Sequence, residues 1–213
     1  MKAKKVLALM LAAIMLVCTS VAATIAYLTD KDTAVNTFTV GQVHIKLDEA
    51  DVNTDGTLIS GADRVTENQY HLLPGRRYEK DPEIHVTAGS EDCFLFVKIV
   101  NEITELENVA DTVSSQMEAN GWECVTGDIW VYTANTNTPA KVSAGTDVPV
   151  FEYFKIKDSA TNDELARYAP VTTGEGNEQV TTFKTITVTA YAIQAAGFEN
   201  STASDIWTTA AFI

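Results

Sequence analysis

Residues 93–100 read CFLFVKIV and residues 180–194 read VTTFKTITVTAYAIQ, and these two runs decide the fold. The first is apolar on both faces except at Lys98, the pattern of a central strand covered on both sides. The second is dense in β-branched and aromatic residues and is the best strand-former in the chain. Outward from these, residues 36–47 (NTFTVGQVHIKL) alternate Phe38 and Val40 before Gly41, then Val43, Ile45 and Leu47 after it. The phase shifts by one residue at the glycine, as a bulge or bend requires, and His44 and Lys46 are expected to face away from the core. Ile84 and Val86 mark a further strand, as do residues 148–156. Residues 122–125 and 128–132 are predicted to pair through Thr126 and Gly127. Residues 48–63 read as a loop or irregular hairpin, residues 134–147 as a surface loop, and Pro74-Gly75 as a tight turn.

Helical signals are fewer. Ile103, Leu106, Val109, Val113 and Met117 recur at spacings of three and four, which predicts an amphipathic helix ending near Asn120 and Gly121. Residues 162–168 suit a short helix capped by Asn162. Thr202, with Asp205 three residues on, opens a C-terminal helix carrying Ile206, Trp207 and Phe212. Many short strands and few helices predict an all-β, antiparallel β-sandwich with short accessory helices.

The N-terminus carries a different signal. Lys2, Lys4 and Lys5 precede an unbroken apolar run of twelve, residues 6–17, and small residues follow. That order describes a secretory signal peptide, residues 1–26, cut after Ala26, with a cut after Ala22 or Ala23 as the alternative. The run is short of the roughly 20 residues that cross a bilayer, although residues 21–25 would extend an uncleaved anchor. Cys18 invites a lipoprotein reading, but Val17 stands where that processing wants a small residue. Residues 27–213 are expected to form one domain outside the cytoplasm, secreted to an extracellular matrix or the cell surface.

All 29 acidic residues lie in that part, with 12 of the 15 Lys and Arg, a formal charge of −17 (12 − 29). Such a surface repels nucleic acid and anionic lipid and attracts cations, so no nucleic-acid partner is expected. Beyond Cys18 two cysteines remain, Cys93 and Cys124. An oxidising compartment permits a disulfide between them, worth about 3–4 kcal/mol in a loop-entropy account; two buried thiols are the alternative.

The sharpest chemical motif is DVNTDGTL at residues 51–58. Oxygen-bearing Asp51, Asn53 and Asp55 at positions 1, 3 and 5, glycine at 6 and an apolar residue at 8 match the opening of a calcium loop. Ala62 stands where the final carboxylate belongs, so calcium is a tentative cofactor and a solvated acidic loop the competing reading. His44, His71 and His85 lie on separate segments without a zinc-binding spacing, and no nucleophile elbow occurs, so catalysis is not expected. Residues 27–40, directly before the first strong strand, have the length and alternation to add as an edge strand to a neighbour, with Tyr27, Leu28, Phe38 and Val40 as assembly residues.

The segment Ala26-Tyr27-Leu28-Thr29-Asp30-Lys31, followed by NTFTVGQV at residues 36–43, resembles the TasA and camelysin family of Gram-positive exported proteins. Tyr27 matches the aromatic residue that opens the mature chain, Thr29-Asp30 the polar pair, and Asn36, Phe38 and Gly41 the strand entry. The likeness continues through LLPGRRYEKDPEIHV (72–86), EDCFLFVKI (91–99) and ITVTAYAIQAAGF (186–198). The resemblance implies a jelly-roll-like sandwich, export through a dedicated signal peptidase, and self-association into biofilm-matrix filaments by N-terminal strand donation, with matrix or cell-wall components as further partners. Camelysins are classed as metalloproteases, so a secreted metal-dependent peptidase is the alternative, as is a non-fibrous surface adhesion protein.

Overall fold

The computed structural model describes residues 42–173, 180–182 and 184–210. In chain order these form strands β1 (Ile45–Asp48), β2 (Arg77–Glu79), β3 (Glu83–Val86) and β4 (Cys93–Asn101). A 3-10 turn (Thr104–Leu106) and helix α1 (Val113–Ala119) follow. Next come β5 (Trp122–Thr126), β6 (Ile129–Tyr132), β7 (Lys141–Val142), β8 (Asp147–Pro149) and β9 (Tyr153–Lys155). The chain continues with helix α2 (Asn162–Ala166), β10 (Val171–Thr173), β11 (Val180–Thr182), β12 (Ile186–Gln194) and helix α3 (Ala203–Thr209). Every strand pairing is antiparallel, and the fold is all-β.

β4 organises the core. One sheet runs β12-β4-β6-β5, with β7 also pairing β4, and a second runs β1-β3-β8. β4 and β12 pair over their full length, from Ile186 opposite Asn101 to Gln194 opposite Cys93. Alternation along β4 sends Cys93, Leu95, Val97 and Ile99 into one apolar cluster and Phe94 and Phe96 into another. The first cluster also holds Ile84 and Val86 of β3 and Val148 of β8, with Ile45 and Leu47 packed against it. The second is closed by Ile206 of α3, with Trp207 tilted against Phe96 at 5.4 Å between ring centroids. Each fully buried large side chain contributes roughly 1.5–3 kcal/mol. The unbroken apolar run at residues 93–97 is thus apolar because both its faces are covered.

Several local expectations hold. His44 and Lys46 are exposed while Val43, Ile45 and Leu47 pack on the core. β5 and β6 form the expected hairpin, with a register shift between Cys124 and Thr126. Thr202 and Asp205 form a reciprocal capping box on α3. Phe38, Val40 and the bend at Gly41 lie outside the described residues.

Others need correction. The helix predicted through Ile103 to Met117 is broken into the 3-10 turn and α1. Glu107 turns extended and bridges Ile156, Asn108 Oδ1 accepts from Ala110 N, and Thr112 starts the helix afresh by accepting from Ser115 N. Val109, read as part of the apolar stripe, is 94% exposed. Residues 148–156 form two strands in different sheets, because Pro149 has no N–H to extend the ladder and ends β8 at a sheet edge. The loop at 134–147 contains β7, whose Val142 is buried. α2 is capped by Thr161, in a box with Glu164, and not by Asn162.

Candidate functional site

The loop-rich corner between β1, β2 and β3 gathers three of the buried charged residues among those described, Asp48, Glu49 and Lys80. Strand β1 ends on Asp48 and runs into Glu49, and both are buried. Glu49 and Val65 exchange backbone hydrogen bonds at 2.8 and 2.7 Å, which brings Arg64 and Asn68 alongside. Arg64 Nε donates to Asp48, Nη1 to Asp81 Oδ2 at 2.9 Å, and Nη2 to the Asp81 carbonyl at 2.8 Å. Asp81 Oδ1 in turn accepts from Ala50 N at 2.6 Å. A planar five-donor fork suits such convergent acceptors, and among the described residues every buried side-chain nitrogen and oxygen has a partner.

His85, in the centre of the β1-β3-β8 sheet, spans both neighbouring strands. Its Nδ1 lies 2.7 Å from Asp147 Oδ1 on β8 and its Nε2 lies 3.0 Å from Asp48 Oδ1 on β1. Burial pushes the ring's pKa down, but hydrogen bonds to Asp147 and Asp48 outweigh this and raise it. Burial likewise pushes Asp48 up, while Lys46, Arg64 and His85 hold it well below the usual carboxylate range. On the far side of the network, Glu49 accepts from Lys80 Nζ at 2.5 Å and from Asn68 Nδ2 at 2.9 Å.

Of the tentative calcium ligands, Asp55 and Asn53 have other side-chain partners. Asp55 Oδ1 accepts from Thr57 N at 3.0 Å and from the Thr57 hydroxyl, and Oδ2 pairs with Arg76 at 2.9 Å. Asn53 Nδ2 donates to Thr57, and Asp51 contributes its backbone carbonyl to Ile59 N. A guanidinium beside Asp55 and an amide donor at Asn53 do not make a cradle of oxygens for a hard cation. Gly56 has a packing role instead: a Cβ there would meet Tyr78 Cδ1 at 2.6 Å and Tyr78 Cα at 2.7 Å.

The Cys93–Cys124 disulfide is not formed; Cys93 is a buried free thiol and Cys124 an exposed one. The register explains why. Cys124 lies opposite Trp130, and Trp130 opposite Val97, so the cysteines are two strands and four residues apart. That is about 10 Å across and 13 Å along the sheet, against the ~7 Å a disulfide tolerates. Burial, with the Asp92 carboxylate, pushes the Cys93 thiol up to about 11. Among the described residues no group of three His, Cys, Asp or Glu is placed to hold a metal, and His44, His71 and His85 do not converge. Tyr27, Leu28, Phe38 and Val40 lie outside the described residues.

A second feature belongs to the backbone. β12 pairs with β4 on one side, and among the described residues no strand pairs with its other side. Its sequence, ITVTAYAIQ, has neither charge nor proline, the usual protections of an exposed edge. The other end strands of the two larger sheets are blunted: β5 is bulged, β8 is three residues long and ends on Pro149, and β1 carries Lys46 and Asp48. Among the described residues no helix is long and apolar enough to cross a membrane. Comparisons with protein-family models, curated proteins and solved structures return no match for this chain.

Sequence reasoning missed Glu49, Arg64, Asn68 and Lys80. The one available signal was two acids directly after the apolar alternation of β1, where the chain was still turning through buried space.

Proposed function

We propose that this chain is a secreted structural subunit of an extracellular, biofilm-matrix-like fibre, a jelly-roll-like sandwich that assembles when residues 27–40 of one copy pair with the β12 edge of the next. The observation that carries this reading is β12 itself, a nine-residue, uncharged, proline-free strand with no described strand on its outer side, the kind of edge to which a further strand adds. A fourteen-residue donor is long enough to cover it. The jelly-roll-like architecture is supported by the first apolar cluster, which draws from β1, β3 and β8 and from β4 and β12, as a core between two sheets would. The likeness of the export junction to the TasA and camelysin family agrees with it, as does the acidic, folded composition.

Strand donation between successive copies is heterologous and therefore extends into a filament. The test compares protein beginning at Tyr27 with a version lacking residues 27–35, by electron microscopy and light scattering at matched concentration. The expected result is filaments or oligomers from the first and folded monomer from the second. Equal polymerisation by both removes strand donation, and monomers from both favour a non-fibrous surface protein.

A further inference from the structure

Lys80 and Asn68 share one buried carboxylate, that of Glu49. Glu49 is 4% exposed and Lys80 9%. The two nitrogens sit on the two oxygens of one carboxylate: Lys80 Nζ at 2.5 Å from Oε2, Asn68 Nδ2 at 2.9 Å from Oε1. The Asn68 amide is fixed on its other sides as well. Its Oδ1 accepts from Val52 N at 3.1 Å and its Nδ2 donates a second time, to the Ala50 carbonyl at 2.8 Å. Tyr70 adjoins both Asn68 and Glu49; burial first, then the Glu49 and Asp81 carboxylates, raise the pKa of its phenol, which leaves it a neutral wall. Behind it Tyr70 meets Phe154 edge-on at 5.1 Å, and Phe154 stacks on Tyr78 at 5.0 Å. An amine and an amide are thus held on one carboxylate, with Lys80 and Glu49 buried and Asn68 half-buried beside Tyr70.

We propose that Lys80 and Asn68 form an intramolecular isopeptide bond, with Glu49 as the proton carrier. Glu49 takes a proton from the Lys80 ammonium, leaving a lone pair on Nζ. Nζ attacks Asn68 Cγ, and the charge that develops on Oδ1 is met by the Val52 N–H, a preorganised backbone donor. As the Nζ–Cγ bond forms and the Cγ–Nδ2 bond breaks, Glu49 delivers its proton to Nδ2. Ammonia leaves with the proton that Nζ gives up, and Glu49 returns to a carboxylate. Nothing is oxidised or reduced and no cofactor is needed; holding both groups on one carboxylate replaces an encounter in solution. The product ties the stretch before β2 to the residue directly after it, closing a loop that contains the Pro74-Gly75 turn. The bond forms within one copy and does not depend on the fibre reading.

The experiment is the intact mass of the purified protein, followed by peptide mapping. The expected result is a chain lighter than its sequence by one ammonia, and a branched peptide joining the segment with Asn68 to that with Lys80. Glu49→Gln, which keeps the shape but cannot carry the proton, is expected to restore the sequence mass, as are Lys80→Met and Asn68→Ala. A full sequence mass in the wild-type protein would mean a buried ion pair only and would overturn the proposal, whether or not the variants fold. So would an ammonia loss mapped to any other residue.

Discussion

Replacing Gly56 by alanine separates the two explanations for the turn at residues 51–58. Gly56 has φ +80° and Gly61 has φ +78°, so alanine pays the same left-handed backbone cost at each, about 1–2 kcal/mol. The surroundings differ. A Cβ at Gly61 meets nothing within 4 Å, whereas at Gly56 it would run into the backbone and ring of Tyr78. Tyr78 cannot yield: it is fully buried, its hydroxyl donates to the His71 carbonyl at 2.7 Å and accepts from Leu73 N at 2.6 Å, and its backbone pairs with Phe154 in β9. Forcing an extra carbon into such a contact costs about 1–3 kcal/mol. Gly56→Ala is therefore expected to be about 2 kcal/mol less stable than Gly61→Ala, a difference in Tm of about 4–8 °C for a domain of this size. Thermal unfolding followed by circular dichroism, in the absence of divalent cations, measures it. Equal losses for the two variants would refute the argument that close approach to Tyr78, and not the needs of a calcium loop, requires glycine at this turn.

Two further outcomes follow from the same corner. With its folded pKa raised, His85 contributes stability that is full below about pH 6.5, the ordinary histidine value, and is lost as pH rises through the folded value. The groups facing it are Lys46 and Asp48 on β1, Glu83 on β3, Asp147 on β8 and Arg64. His85→Gln is expected to flatten the fall in denaturant stability above pH 6.5; parallel profiles for the two proteins would contradict the double contact. Millimolar calcium is expected to leave the Tm unchanged, because Arg76 and Thr57 already serve Asp55. A calcium-dependent rise abolished by Asp51→Asn and Asp55→Asn would restore the calcium loop.

The sequence by itself determined the strand content, the central place of residues 93–100, the β5–β6 hairpin and the cap of α3. Each of these rests on local physics: an apolar run covered on two faces, a Gly-containing turn between two apolar runs, and a hydroxyl three residues from an acid. Where a tertiary contact competed with local pattern, the contact won. Glu107 left the helical stripe to bridge Ile156. Pro149, a local break within one apolar run, divided that run between two sheets. The cysteines looked pairable because spacing in sequence carries no information about register, and register sets them two strands apart. The buried network was illegible for the same reason. Glu49 meets Asn68 and Lys80 from 19 and 31 residues away, and apart from the two acids that follow the alternation of β1 nothing local announces that these side chains meet. Only the folded chain, which buries Glu49 and Lys80 and leaves these charges to find partners in each other, decides that these three side chains share one site.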